Sequence, residues 1–77
     1  MKQILVLHRG WVIIGNVSKE TQNEIEVQDC SVIRKWGTTK GLGEIALNGI
    51  TKETVLDPCG TVIAPLISVI MRIQCKV

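Results

Sequence analysis

The residues best equipped for chemistry are contiguous. Arg34-Lys35-Trp36-Gly37-Thr38-Thr39-Lys40-Gly41-Leu42-Gly43-Glu44 puts three glycines, two hydroxyls, three cations and a tryptophan into eleven positions. Glycines let backbone N–H groups approach a ligand, successive N–H groups in such a loop form an anion-binding concavity, and lysine or arginine adds positive charge. A small phosphorylated ligand fits this composition. In that reading the N–H groups of Gly41, Leu42 and Gly43 at a helix N-terminus, the Thr38 and Thr39 hydroxyls and the Lys40 ammonium surround a phosphate, Arg34 is a further cation, and Trp36 stacks a base. The competing reading is structural: Gly37, Gly41 and Gly43 let a tight crossover pass, and Trp36 caps the fold.

Other candidate chemistry is thinner. Gly41-Leu42-Gly43-Glu44-Ile45-Ala46 matches the dinucleotide fingerprint G-x-G-x-x-A in form. That fingerprint needs a long helix and a second parallel strand, whereas Asn48-Gly49 stops this helix almost at once. Thr38-Thr39-Lys40-Gly41 runs in the reverse order of a P-loop, so ATP hydrolysis is not supported. His8 has no serine, cysteine or carboxylate at informative spacing, and Cys59 has no accompanying base. Asp29, Glu44, Glu53 and Asp57 form no recognisable metal or general-acid pattern. The chain reads as a non-enzyme without a cofactor.

The elements that must position the loop are mostly strands. Lys2 to His8 contains the run Ile4-Leu5-Val6-Leu7, apolar on both faces, and Trp11-Val12-Ile13-Ile14 repeats the pattern after a turn at Arg9-Gly10. Two such strands imply a second layer or a neighbouring subunit. Gly15-Asn16 offers a bulge or bend, Ser18 to Asn23 reads as a polar hairpin connection, and Glu24 to Gln28 alternates as a half-buried strand. Asp29-Cys30-Ser31 kinks that strand before Val32-Ile33 resumes it. Leu42, Ile45 and Ala46 fall at i, i+3 and i+4, so a helix of at most two turns ends at Asn48-Gly49. Ile50 to Leu56 is irregular or a short strand, Asp57-Pro58-Cys59-Gly60 carries turn chemistry, Thr61 to Ala64 is a strand bent at Pro65, and Val69 to Val77 alternates as the last strand. These elements predict an all-β fold with at most one short helix, a small five-stranded antiparallel SH3-like or Sm-like barrel.

Composition narrows the class further. With 77 residues the chain is one domain, and a domain of that size buries only about 60% of the surface its unfolded chain exposes. Apolar residues make up 45%, nearly all aliphatic, which is more than a thin core easily hides. A homo-oligomer is therefore expected. A net charge of +2 excludes a polybasic nucleic-acid binder and confines any anion site to a local cluster. Cys30, Cys59 and Cys75 are odd in number and lack CxxC spacing, indicating reduced thiols in a cytosol rather than a disulfide framework or zinc site. No signal peptide is recognised, and the apolar run Val62 to Met71 falls short of the ~20 residues that span a bilayer. A soluble protein without membrane association is expected.

Four segments carry a resemblance: Leu7-His8-Arg9-Gly10-Trp11, Ser31-Val32-Ile33-Arg34, Trp36 to Glu44, and Thr54-Val55-Leu56-Asp57-Pro58-Cys59-Gly60. Together they resemble a family of small, functionally uncharacterised tailed-bacteriophage proteins, over nearly the whole chain. The resemblance implies a host bacterial cytoplasm and no particular chemistry. A weaker pattern resemblance, in the glycine-hinged strand Gly10 to Val17 and the alternating Ile25 to Cys30, is to Sm-like RNA-binding barrels, although their Asp and Asn RNA-binding positions are not recoverable here.

The expected function is a phage-encoded binding protein, an oligomer capturing a small phosphorylated ligand, a cyclic or linear nucleotide. In context, such a protein sequesters a nucleotide second messenger of host antiviral defence. An Sm-like module for single-stranded RNA and a structural or protein-interaction phage component are the alternatives.

Overall fold

In the computed structural model, which describes residues 2–77, the two-sided apolar strands come first and lie side by side. β1 (Lys2–Leu7) pairs antiparallel with β2 (Val12–Glu20), so that Ile4 faces Ile14 and Leu5 faces Ile13. β3 (Glu24–Lys35), the helix α1 (Leu42–Asn48), β4 (Val55–Pro65) and β5 (Val69–Gln74) follow. Short 3₁₀ turns at His8–Gly10 and Leu66–Ser68 link β1 to β2 and β4 to β5. All pairings are antiparallel, in the order β4-β3-β2-β1-β5. The all-β, five-stranded, barrel-like architecture with one short helix is thus the observed one.

Each face of the central strands has its own cover. Ile4, Val12, Ile14 and Ile33 meet Leu42, Ile45 and Ala46 of α1 on the outer face. On the inner face Leu5, Ile13, Ile25, Val27, Cys30 and Ala64 pack where the sheet curls over itself. The demand for a second layer over β1 and β2 is therefore met within one chain, by seven helical residues on one side and sheet curvature on the other. Full burial of a side chain such as Ile45 contributes about 1.5–3 kcal/mol, enough to hold a helix too short to persist alone.

Curvature is set by bulges. At Gly15 a Cβ would lie 2.7 Å from Val27 Cγ1 and 2.9 Å from the Gln28 carbonyl oxygen, so only glycine lets β2 and β3 approach this closely. The β2–β3 register shifts beside it, between Ile14 and Asn16, and Asp29 on β3 adopts a left-handed φ of 50°. At one end of the inner core Arg72 Nε donates to Gln3 Oε1 at 2.9 Å and Arg72 Nη1 lies 3.0 Å from Glu20 Oε1.

Three boundaries differ from expectation. Ser18, Lys19 and Glu20 continue β2 rather than forming a loop, because Ser18 Oγ bonds across the sheet to Glu26 Oε2 at 2.9 Å. Asp57-Pro58-Cys59-Gly60 is a bulged stretch inside β4, since its proline and its glycine at φ 78° satisfy a bulge as readily as a turn. β5 ends at Gln74, beyond which Lys76 N–H donates to the Ala46 carbonyl at 2.7 Å and ties the tail to α1. Among the described residues no helix is long and apolar enough to cross a membrane.

Candidate functional site

The glycine loop leaves β3 at Lys35 and enters α1 at Leu42. Its first half is tied to the turn before β4. Thr54 Oγ1 donates to the Trp36 carbonyl at 2.7 Å and Thr51 Oγ1 donates to the Gly37 carbonyl at 2.6 Å. Gly37 has φ 64° and passes directly under the Glu53–Thr54 backbone, with the Glu53 carbonyl oxygen 2.5 Å from where a Cβ would stand. Trp36 is 44% exposed, and its Cζ3 lies 3.8 Å from the position of a Cβ on Gly41.

The second half is closed on itself ahead of the helix, and no side chain caps α1. Gly41 N–H donates to Thr38 Oγ1 at 2.9 Å. Glu44, third in the helix, reaches back so that one carboxylate oxygen accepts from the Thr39 hydroxyl and the Lys40 N–H, each at 3.2 Å. A carboxylate in the first turn also meets the positive end of the helix dipole. The loop places Trp36, Thr38, Thr39, Lys40, Gly41 and Gly43 together, but its Lys40 and Gly41 N–H groups and both threonine hydroxyls are engaged internally. A carboxylate stands beside the proposed phosphate position. Arg34 points elsewhere, its Nε donating to Asp57 Oδ2 at 2.8 Å and Nη2 to Oδ1 at 3.3 Å. Lys40 makes no ion pair among the described residues and borders a shallow depression of about 390 Å³ with Gly43 and Leu47. The dinucleotide match meets a seven-residue helix in an antiparallel sheet, so the geometry of that fingerprint is absent.

A second region has the opposite character. Between β2, β3, the C-terminal end of α1 and the chain's last residue runs a groove of about 460 Å³. Ile14, Ile50, Leu56 and Val77 supply apolar walls, and Lys2, Asn16, Asp29 and Ser31 supply polar groups. None of those four polar side chains has a hydrogen-bond or ion-pair partner among the described residues, and Lys2, Asn16 and Asp29 are exposed while Ser31 is half-buried. Gly49, at φ 89°, ends α1 and turns the chain so that Ile50 and Val77 flank the opening.

Sequence reasoning marked Gly15-Asn16 and Asp29-Cys30-Ser31 as irregular without joining them. The β2–β3 register brings these two breaks together, with Ile14 opposite Ser31 and Asn16 opposite Gln28. Two interruptions of alternation on adjacent strands were the available signal, and both border the groove.

The fold and groove define a small antiparallel barrel-like domain with an outer helix and a cleft at that helix's C-terminal end. In comparison with known proteins, the chain matches no protein-family model and no curated protein.

Proposed function

We propose that the chain is a non-enzymatic binding protein that takes a small phosphorylated ligand, a nucleotide, in the groove between β2, β3 and the end of α1. The observation that carries this reading is the cluster of four polar side chains without protein partners around apolar walls, in contrast to the glycine loop, whose threonine hydroxyls and Lys40 and Gly41 N–H groups are engaged internally. A volume of about 460 Å³ suits one small ligand. In this arrangement the base packs against Ile14 and Leu56, the Asp29 carboxylate and Asn16 amide meet its hydrogen-bonding edge, and the Lys2 ammonium faces the phosphate. The phage resemblance extends the reading to sequestration of a nucleotide second messenger of antiviral defence in the host bacterial cytoplasm.

We also propose that the protein acts as a homo-oligomer. β4 and β5 are the two edges of the sheet, and Ile63 beside one edge and Ile67, Ile70 and Met71 beside the other are exposed, Ile67 at 86%. Light scattering should give a multiple of the monomer mass at micromolar concentration; a monomer mass refutes it.

Calorimetry against linear and cyclic nucleotides tests the binding site. Lys2→Ala should weaken binding by roughly 1.5–3 kcal/mol, the range for a hydrogen bond to a charged group, while Lys40→Ala leaves it unchanged. Loss of binding with Lys40→Ala and not with Lys2→Ala returns the site to the glycine loop. Binding of single-stranded RNA with steep salt dependence, and of no nucleotide, replaces the proposal with the RNA reading.

A further inference from the structure

Two of the three register shifts between β3 and β4, those on either side of Cys30, bring together cysteines that are far apart in the chain. Ser31 pairs with Pro58 but Cys30 pairs with Gly60, so Cys59 is an extra residue on β4, and two residues of that strand oppose Cys30. The next pair is Val27 with Val62, which puts a compensating extra residue on β3 around Asp29. Register is restored beyond both bulges. Such paired irregularities redirect side chains at one point without disturbing the rest of the ladder.

Here they turn Cys59 toward Cys30. Cys59 Sγ donates to the Cys30 carbonyl at 3.3 Å, and Cys59 shares the position opposite Cys30 with Gly60. Directly paired residues such as Cys30 and Gly60 have Cα atoms about 4.5–5.5 Å apart, and Cys59 is the bulged neighbour of that pair, close to the span of about 4.4–6.8 Å that a disulfide bridges. Both thiols are free. We propose that Cys30 and Cys59 form a reversible dithiol–disulfide pair, closed by exchange with a low-molecular-weight disulfide.

Exposure sets the order of events. Cys59 is exposed, whereas Cys30 is buried in the inner core at 1%. The Cys59 thiolate attacks one sulfur of the small disulfide, forming a mixed disulfide and releasing one small thiol. The Cys30 sulfur then gives up its proton and attacks the Cys59 sulfur, closing the intrachain bond and releasing the second small thiol. Two electrons pass to the small disulfide, and the two protein protons end on the two released thiols. Burial first, then the charge and hydrogen bond of Cys59, push the Cys30 thiol up to about 12. Cys30 is therefore a poor initiator, and derivatising Cys59 removes one of the influences that hold it protonated. The closed bond staples β3 to β4 beside Asp29.

The test is incubation of the folded protein with oxidised glutathione, followed by alkylation, unfolding and mass spectrometry. Free thiols should fall from three to one, with loss of two hydrogens from the intact mass and a peptide linking Cys30 to Cys59, all reversed by dithiothreitol. Cys75→Ser should still form the link. Cys59→Ser, at an exposed position whose folding circular dichroism verifies, should form none, and in wild type a Cys59–glutathione adduct should precede closure. Three thiols that persist, a Cys59 adduct that never resolves, or a link through Cys75 overturns the proposal.

Discussion

Substituting the loop's glycines separates backbone necessity from ligand contact, and Gly37 and Gly43 should respond in opposite directions. Gly37→Ala puts a methyl group where the Glu53 carbonyl oxygen is 2.5 Å and the Thr54 nitrogen 2.6 Å away, and imposes φ 64° on an L residue. A left-handed conformation costs roughly 1–2 kcal/mol, and forcing backbone apart adds about 1–3 kcal/mol. Both neighbours are main-chain atoms, so no side-chain rotation relieves the overlap. The expected loss is about 2–5 kcal/mol, a large share of the roughly 5–15 kcal/mol that stabilises a typical domain. Gly43→Ala meets no atom within 4 Å and lies inside α1, so the added methyl should stabilise by about 0.5–1 kcal/mol through lower unfolded-state entropy. Urea denaturation of both variants, with the slope m checked for constancy, measures each value. A Gly37→Ala loss below about 0.5 kcal/mol, the usual range of harmless surface changes, refutes the tight-crossover argument. Destabilisation by Gly43→Ala refutes its placement in an open helical turn.

Ile45→Ala should cost about 2–5 kcal/mol, because its side chain is fully buried between α1 and the sheet; circular dichroism and urea midpoints check this. The protein should also lose stability in alkali. With Cys30 pushed up to about 12 by burial and by Cys59, the unfolded chain releases this proton first, near the ordinary thiol value of about 8.5. Between those values the unfolded state binds fewer protons, so stability falls as pH rises, by up to ~1.4 kcal/mol per unit from this group. Cys30→Ala should flatten the profile, leaving the contribution of Cys75, which burial also raises against an opposing influence of Lys2. Equal slopes in wild type and Cys30→Ala contradict this assignment.

Local features were legible and paired ones were not. Leu42, Ile45 and Ala46 share one helical face, and Asn48-Gly49 ends it within the same few residues, so α1 could be read directly. The apolar faces of β1 and β2 announced that cover was needed, but the identity of the cover depended on folding α1 back across the outer face. Asp57 to Gly60 reads as a turn in sequence because proline and a positive-φ glycine suit both a turn and a bulge; only pairing with β3 decides between them. The Cys30–Cys59 approach was hidden for the same reason. Odd count and wide spacing describe sequence separation, and the β3–β4 register cancels that separation.

The glycine loop and the groove differ most in where their hydrogen bonds go. In the glycine loop, Thr38 Oγ1 accepts from the Gly41 N–H, and the Glu44 carboxylate of α1 accepts from the Thr39 hydroxyl and the Lys40 N–H. Displacing Glu44 would require a ligand to replace its bonds to Thr39 and Lys40 while accepting a carboxylate alongside its phosphate. The groove has its own carboxylate, Asp29, but Lys2, Asn16, Asp29 and Ser31 have no hydrogen-bond or ion-pair partner among the described residues to give up. Asp29 strengthens the distinction. A non-glycine residue at φ 50° carries a conformational cost of about 1–3 kcal/mol that the two bulges sustain, and it presents an unpaired carboxylate at the edge of an apolar cleft. Strain and an unpaired charge at one point of the cleft make Asp29 the position at which a substitution tests the proposed groove most directly, as Lys40 is for the glycine loop.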